Sequence, residues 1–252
     1  MALMTPNSTN QDTFTILGVP IHRIDMAEAM AQMDTFIQEG TPHHVVTADA
    51  SMIVMAQEDP ELKAIIGRAA LVTPDGAGLL WAAKRQKTPL KERVSGVVLV
   101  EKLCALSPER GYRLFFFGAA PGVAEQAASQ MRAKYPGVQI VGTRDGFFSA
   151  EQTPTLLAEI REAQPHILCL ALGIPKQEKF IAEHGKALGV PIMMGVGGTF
   201  DVLSGNLKRA PLWMQRLNLE WLWRLLQNPS KISKVKLLPR FVMLVLGEKR
   251  KA

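Results

Sequence analysis

The fold is constrained most by a regular alternation along the chain, in which short apolar, β-branched segments are followed by longer segments of helical periodicity. Such alternation predicts parallel strands joined by helices, because a parallel strand needs a long crossover connection. We therefore expect an α/β fold with a mostly parallel sheet flanked by helices. The predicted strands cover 13–21, 44–47, 71–73, 113–117, 138–143, 167–171 and 192–196.

Helices are predicted between these strands and near the end of the chain. In a Rossmann-like sheet of this kind, ligands bind beyond the carboxyl ends of the strands. The residues that directly follow each strand are therefore the candidates for a site. The predicted helices cover 26–39, 123–134, 155–162 and 176–184, with two more that begin at Asp49 and Asp75.

Charge divides the chain into two parts. Of the 252 residues, 206–252 hold 11 Lys and Arg against 2 Asp and Glu, whereas 1–205 hold 18 against 21. We predict an α/β domain over 1–205 and a helical, basic C-terminal appendage over 206–252. A cationic segment on a slightly acidic body suits an anionic surface such as a membrane, a nucleic acid or a polyphosphate.

Aromatic residues in the appendage favour the membrane. Trp213, Trp221 and Trp223 lie among basic residues, and the apolar segment 237–246 is too short to cross a bilayer. This combination is typical of a peripheral, interfacial contact; the alternative is a helical hairpin that packs its aromatic residues on the domain. Residues 1–12 carry no signal-peptide pattern, so we expect a cytoplasmic protein on the inner face of the membrane.

Cysteines and histidines indicate a reducing compartment and no metal cofactor. Cys104 and Cys169 each lie in an apolar run, which predicts buried thiols rather than a disulfide framework. The five histidines show no metal-ligand spacing, and the chain has no DxD-type carboxylate pair for a divalent cation. We therefore expect no cofactor.

Polar residues follow two of the predicted strands. Thr47 and Asp49 come after one strand, and Asp75, in the sequence TPDG, comes after the next. A carboxylate in the crevice at the strand ends is suited to act as a general base, so Asp75 is a candidate catalytic residue. On spacing alone, Asp75 fits a turn as well, and Thr47 and Asp49 fit caps of the next helix.

A glycine-rich segment, 195–201 (GVGGTFD), follows the last predicted strand. Gly195, Gly197 and Gly198 would let the backbone approach a diphosphate closely, and Thr199 offers a hydroxyl. The glycines fit tight packing at a helix start equally well.

Three weaker signals also follow strands or lie in turns. Gln177, in GIPKQE, offers a sugar both a donor and an acceptor. Arg93, in ERVSG, suits a phosphate partner or a plain surface charge. The loop 118–122 (GAAPG) suits a phosphate at a helix start, or serves only as a strand-to-helix turn.

Seven sequence blocks together carry a resemblance that no single block carries. They are TPDGAGLLWAAK, ERVSG, FFFGAAPG, LGIPKQE, GVGGTFDVLSG, KRAP and NLEWLWRLLQNP. In this order, over about 14–236, the chain resembles the WecG/TagA/CpsF family of bacterial glycosyltransferases. The resemblance implies transfer of N-acetylmannosamine from a UDP-sugar donor to polyprenyl-diphosphate-linked N-acetylglucosamine. It also implies inversion to a β linkage, in the synthesis of wall teichoic acid or a related surface polysaccharide.

The resemblance implies roles for single residues as well. Asp75 matches the family's proposed general base, which deprotonates the acceptor hydroxyl. The implied substrate-binding residues are Thr47, Asp49, Arg93, Gln177, Arg224, Lys231 and Lys234. The last three lie in the appendage, which in this family closes over the site and meets the lipid diphosphate.

This chain departs from the family pattern at two places. Asp49 stands where the family usually has Asn, so the amide expected to hold an acetamido sugar is absent. A donor without that group, such as UDP-glucose, is therefore an alternative. Lys231 and Lys234 stand where arginines are common, which keeps the charge but not the bidentate phosphate geometry.

Two other classes of protein are weighed against the transferase. A dinucleotide-dependent oxidoreductase shares the fold class, but the GxGxxG fingerprint after the first strand is missing. A non-enzymatic nucleic-acid or membrane adaptor would fit the pI of 9.4. However, the aromatic residues 115–117 are typical of a core strand rather than a stacking surface, so we expect no nucleic-acid partner. Closure of the site by the appendage would also be compatible with a homo-oligomer.

Overall fold

The computed structural model of the chain describes residues 12–208, 210–211, 213–214, 220–227 and 236–248. Within these ranges, strands and helices alternate along most of the chain. The strands are β1 (Thr13–Ile16), β2 (Val19–His22), β3 (His43–Ala48), β4 (Leu71–Pro74), β5 (Arg113–Gly118), β6 (Gln139–Arg144), β7 (Ile167–Ala171) and β8 (Ile192–Gly195). The α-helices are α1 (Met26–Glu39), α2 (Ala50–Glu58), α3 (Pro60–Gly67), α4 (Ala77–Arg85), α5 (Gly96–Arg110), α6 (Val123–Lys134), α7 (Thr153–Glu162), α8 (Lys176–Leu188), α9 (Thr199–Leu203), α10 (Glu220–Gln227) and α11 (Leu237–Gly247).

The main sheet has six strands in the order β4-β3-β8-β7-β5-β6, and every neighbouring pair is parallel. The predicted fold class, α/β with a parallel sheet flanked by helices, is confirmed. The chain leaves β3 toward β4 on one side, whereas it reaches β8 from β7 on the other side. Such a switch point opens a crevice at the carboxyl ends of the two strands, here β3 and β8.

Both faces of the sheet are covered, because alternate residues of each strand point to opposite sides. On β5, Leu114 and Phe116 pack with α1, α5, α6 and α9, whereas Phe115 and Phe117 pack with α7 and α8. The face that carries α7 and α8 also carries α2, α3, α4 and α11. The helices after β3 and β8, α2 and α9, therefore lie on opposite faces and leave the crevice open between them.

The prediction of a single strand over 13–21 is wrong. β1 and β2 form an antiparallel hairpin outside the main sheet, with Ile16 opposite Val19. The turn residues Leu17 and Gly18 have φ values of 53° and 76°. Two positive φ angles in succession match the twist of a tight hairpin. Leucine at the first turn position is not a turn signal, which is why the break was missed.

Some predicted elements are confirmed and others were missed. The predictions for α6 and β7 agree with the structure at both ends. The helix expected to begin at Asp75 begins instead at Ala77, after Gly76 at its N-cap position. Neither α3 nor α5 was predicted. In α5 the first residues are Gly-Val-Val-Leu-Val, and such an apolar, β-branched run carries no helical periodicity of its own.

The C-terminal helix α11 packs on the domain. Phe241 and Val245 are 1% and 3% exposed, and they join the core cluster that contains α2 and α4. The carboxylate of Glu248 accepts hydrogen bonds from the Leu17 amide at 3.1 Å and from Gln86 Nε2 at 2.9 Å. For α11, packing on the domain is therefore observed, and the division at 205/206 stays a prediction. None of the helices in the described part of the chain has the length and apolar character needed to span a bilayer.

Buried histidines are expected to make the stability depend on pH. His22 accepts a hydrogen bond at Nδ1 from the Val72 amide at 2.9 Å, and burial lowers its pKa. Burial lowers the pKa of His44 from 6.5 to about 4. Between these values the unfolded chain binds a proton at His44 that the folded chain does not. The free energy of unfolding is therefore highest above pH 6.5 and falls as the pH drops toward 4.

His44→Leu is expected to remove much of this pH dependence. At about 1.4 kcal/mol for each pKa unit, the proton linkage at His44 amounts to about 3 kcal/mol. Urea unfolding of both proteins at about pH 7.5 and about pH 4.5 measures the change. An equal loss of stability in wild type and variant would contradict the assignment to His44.

Candidate functional site

Asp75 is held at the carboxyl end of β4, beside the end of β3. Its amide donates to the Ala48 carbonyl at 2.7 Å. Its carboxylate accepts on both oxygens, at Oδ1 from Arg93 Nε at 3.3 Å and at Oδ2 from the Gly96 amide at 3.0 Å. Gly96 is the first residue of α5, so a helix N-terminus and a guanidinium both attract this carboxylate. Donors on both oxygens therefore hold its orientation.

Asp75 and Arg93 also reach the crevice. Their side chains are 23% and 24% exposed. Gly76, with a φ of 124°, makes the turn after β4, and the N-terminus of α4 has no side-chain cap. The Asp75 carboxylate thus does not cap the following helix. A carboxylate that is held in place and still accessible is suited to take a proton from a bound hydroxyl.

Asp49 lies next to this turn and caps α2. Its Oδ1 accepts from the Met52 amide at 2.8 Å and from Ser51 Oγ at 2.6 Å. A Cβ built on Gly76 would lie 4.0 Å from the Cβ of Asp49, so Asp49 borders the Asp75 turn. The capping alternative is therefore observed for Asp49. Because Asn caps helices as well as Asp does, the cap does not account for the carboxylate at this position.

Thr47 joins the ends of three elements. Its hydroxyl donates to the Gly195 carbonyl at 2.8 Å, which ties β3 to β8. A Cβ built on Gly96 would lie 3.3 Å from both Thr47 Oγ1 and Thr47 Cγ2, so the first turn of α5 lies against this side chain. Thr47 therefore helps to position the helix start that binds Asp75.

Gln177 is buried under the crevice, with 2% of its surface exposed. Its Oε1 accepts from the amides of Gly173 and Gly197, both at 3.1 Å. Its Nε2 donates to Glu178 Oε1 at 2.8 Å. The side-chain amide of Gln177, which was predicted to bind a sugar, is thus hydrogen-bonded inside the protein, where it joins the loops after β7 and β8.

The glycine-rich segment forms the turn from β8 into α9. Gly195 ends the strand, Gly197 has a φ of 53°, and Gly198 is the N-cap residue of α9. Thr199 is 2% exposed, and its hydroxyl donates to the Val196 carbonyl at 2.7 Å. Its amide donates to the same carbonyl at 3.2 Å. These residues border the crevice, but the amides of Gly197 and Thr199 already have protein acceptors.

Three basic candidates fall outside what the structure describes. Arg224 belongs to α10, but its side chain is not described, and Lys231 and Lys234 lie outside the described residues. The loop 118–122 lies at the end of β5, with Ala119 bound through backbone hydrogen bonds to the last residue of β7 and to the loop after β6. It lies beyond β7, at a distance from the β3–β8 switch point.

The described residues contain no group of three or more His, Cys, Asp and Glu side chains placed to hold a metal ion. The prediction of buried thiols is confirmed, since Cys104 and Cys169 are both buried and free. Burial raises the pKa of Cys104 to about 12 and raises that of Cys169 as well. Neither sulfur is therefore prepared to act as a thiolate ligand or nucleophile.

Two site residues were missed at the sequence level. Gly96 supplies the amide that binds Asp75, and it belongs to the ERVSG block in which only Arg93 was assigned. Glu178 is fully buried beside Gln177, and it belongs to the GIPKQE block in which only the glutamine was assigned. A charged residue at a position that turns out to be buried gives no local sequence signal of its burial.

Gly195→Ala is expected to destabilise the protein. A Cβ at this position would lie 2.4 Å from Gln177 Nε2 and 2.8 Å from Glu178 Oε1. Both neighbours are buried, so relief of the overlap should cost about 1–3 kcal/mol of unfolding free energy. Gly67→Ala is the control, because a Cβ there has no neighbour within 4 Å. Urea unfolding that ranks the two variants as equally stable would contradict this packing.

Known proteins match this chain over nearly its whole length. Residues 14–252 match the family described as "Glycosyl transferase WecG/TagA/CpsF family". A Bacillus spizizenii protein named N-acetylglucosaminyldiphosphoundecaprenol N-acetyl-beta-D-mannosaminyltransferase is 30% identical over 237 residues, or 92% of this chain and 91% of that protein. A Bacillus subtilis (strain 168) protein of the same name is 30% identical over 240 residues, or 94% and 93% of the two chains. With matches that span nearly the whole sequence, the chain belongs to the WecG/TagA/CpsF family of glycosyl transferases.

Proposed function

We propose that the chain transfers N-acetylmannosamine from UDP-N-acetylmannosamine to polyprenyl-diphosphate-linked N-acetylglucosamine, with inversion to a β linkage. The observation that carries this proposal is the Asp75 carboxylate, held by Arg93 and Gly96 and open to the crevice. The names of the two Bacillus relatives support the transferred sugar and the lipid-linked acceptor. The product would enter a teichoic acid or a related cell-surface polysaccharide.

In the proposed reaction Asp75 is the general base. It accepts the proton of an acceptor hydroxyl while that oxygen forms a bond to the anomeric carbon of the donor sugar. The bond from the anomeric carbon to the UDP oxygen breaks on the opposite face, and UDP leaves with the electron pair. Attack from the opposite face inverts an α-linked donor to a β-linked product. Proton transfer of this kind contributes about 10²–10⁴-fold to a rate.

No step of this proposal uses a metal, so protein groups must stabilise the charge on the leaving diphosphate. The amides of Gly197 and Thr199 donate to protein acceptors. The stabilisation is therefore assigned mainly to cations, namely Arg93 in the crevice and Arg224, Lys231 and Lys234 from the C-terminal segment. Preorganised positive charge at the position where negative charge develops is the strongest single contribution available to such a site.

Donor identity is tested by UDP release. The purified chain is incubated with a short-chain lipid-diphosphate N-acetylglucosamine, and UDP-N-acetylmannosamine is compared with UDP-glucose. Acceptor-dependent release from the first donor alone is the expected result. Release from UDP-glucose alone would keep the mechanism but overturn the donor, and it would make Asp49 the residue that sets donor specificity. No release from either donor would contradict the proposed function.

We also propose that the protein binds the inner face of an anionic membrane, where the lipid-linked acceptor lies. On α11, Val242, Met243 and Leu246 are 38%, 65% and 50% exposed. Trp81 of α4 is also exposed beside this helix, with its ring centroid 6.4 Å from that of the buried Phe241. Basic residues of the C-terminal segment would add about 1 kcal/mol each on anionic lipid.

Met243→Glu combined with Leu246→Glu is expected to reduce vesicle binding at least about tenfold, because two carboxylates replace the exposed apolar contact. Sedimentation with phosphatidylglycerol-containing vesicles measures the bound fraction. Phe147→Glu is the matched control, since Phe147 is 69% exposed but lies in the loop after β6. Equal binding by the double variant and the control would contradict this surface.

A further inference from the structure

Glu178 is the least expected charged residue near the crevice. It is fully buried in the first turn of α8, and its Oε1 accepts a hydrogen bond from Gln177 Nε2 at 2.8 Å. A buried carboxylate costs several kcal/mol of desolvation unless hydrogen bonds compensate for it. An apolar side chain would fill the same space without that cost. The presence of a carboxyl group under the strand ends therefore indicates that Glu178 has a role beyond packing.

That role follows from the two ends of the Gln177 amide. The oxygen accepts from two backbone amides, those of Gly173 and Gly197. If the amide turned over, its NH₂ group would face these two N–H donors and both bonds would be lost. Glu178 Oε1 accepts from this NH₂ group, so it holds the group on its own side. Glu178 thus selects the amide orientation that joins the loops after β7 and β8.

The contact continues from these loops to the proposed base. The Gln177 amide packs against Gly195. The carbonyl of Gly195 accepts a hydrogen bond from the Thr47 hydroxyl. Thr47 lies against Gly96, and the Gly96 amide binds Asp75. Glu178 and Asp75 are therefore the two ends of one unbroken series of contacts that crosses the carboxyl ends of β7, β8, β3 and β4.

We propose that Glu178 is a positioning residue of the transferase site, which acts through Gln177 and does not touch substrate. It keeps the loops after β7 and β8 at a fixed separation and so sets the wall of the crevice that faces Asp75. This inference rests on the proposed function for its effect on turnover. The hydrogen bonds themselves are tested independently of it.

The test compares two substitutions of similar volume. Glu178→Gln keeps an oxygen that accepts from Gln177 Nε2, whereas Glu178→Met removes every acceptor. We expect Glu178→Met to lower kcat by about 10–100-fold with the KM for the donor within about threefold, because small misplacement of reacting groups costs this much. Glu178→Gln should stay within about threefold of wild type in both constants.

Two further variants separate positioning from general stability. Ser107 is fully buried and hydrogen-bonded to Tyr112 and Gln139 at the opposite end of the sheet, so Ser107→Ala should lower stability but leave kcat unchanged. Glu178→Asp keeps the carboxyl group but shortens the side chain by one methylene, which withdraws the acceptor from Gln177 Nε2. Glu178→Asp should also have a lower kcat than wild type, as Glu178→Met should. It replaces Glu178→Met in the comparison if the methionine variant does not fold.

Hydrogen exchange gives a readout that needs no substrate. The amides of Gly173 and Gly197 should exchange slowly in wild type and Glu178→Gln, and at least about tenfold faster in Glu178→Met, because their common acceptor is no longer held in place. If wild type transfers no sugar, the proposed function fails, yet this exchange still tests the positioning role. Full kcat with slow exchange in Glu178→Met, or equal losses in Glu178→Met and Glu178→Gln, would overturn the inference.

Discussion

Asp75→Asn is expected to lower kcat for sugar transfer by about 10²–10⁴-fold, because an amide cannot accept the proton that the proposed base removes. The fold should survive. An amide presents one acceptor and one donor group, so one of the two donors, Arg93 or Gly96, loses its partner, at a cost of about 1–3 kcal/mol. Steady-state turnover together with thermal unfolding measures the two effects separately.

Asp145→Asn is the matched control for Asp75→Asn. Asp145 also follows a strand at the carboxyl edge of the sheet, and its Oδ1 accepts from the Phe147 amide at 2.8 Å. An asparagine oxygen accepts the same bond, so kcat should remain within about twofold. Retention of more than about a tenth of wild-type kcat in Asp75→Asn would exclude this residue as the base.

Phe241→Ala is expected to lower the free energy of unfolding by about 3–5 kcal/mol, the range found for large aromatic side chains in cores. The ring is 1% exposed and lies against the start of α4, where a Cβ built on Gly78 would be 3.4 Å from Phe241 Cε1. Loss of the ring would leave a cavity between α11, α2 and α4. Urea unfolding followed by circular dichroism measures the change.

Met243→Ala is the control on the same helix. Met243 is 65% exposed, and exposed substitutions usually change stability by no more than about 0.5 kcal/mol. If the two variants were equally stable, α11 would not be an integral part of the folded domain. Truncation of the chain before α11 would then leave the domain intact.

Sequence patterns predicted the fold best where local signals agree with one another. β7 is a short apolar run, and α6 has helical periodicity bounded by Gly122 and an acidic first turn. The failures have local reasons too. The 13–21 run is rich in apolar and β-branched residues and has leucine in its turn, and α5 opens with a run whose residue types suit a strand.

The position of the candidate site was also predictable, because residues after strands of a parallel sheet collect at one edge. Four of the predicted residues border the β3–β8 crevice or lie directly beneath it, namely Thr47, Asp49, Asp75 and Gln177. Their hydrogen-bond partners were not predictable. Thr47 pairs with Gly195 across 148 positions of sequence, and such a pair depends on the strand register rather than on any local pattern.

The central claim is tested most directly by the product. Lipid-diphosphate N-acetylglucosamine is incubated with the purified chain and UDP-N-acetylmannosamine, and the lipid fraction is examined by mass spectrometry. The account predicts a lipid-linked disaccharide that carries one additional N-acetylhexosamine and does not form with Asp75→Asn. Unchanged acceptor in the presence of wild-type protein, or the same product with Asp75→Asn, would contradict it.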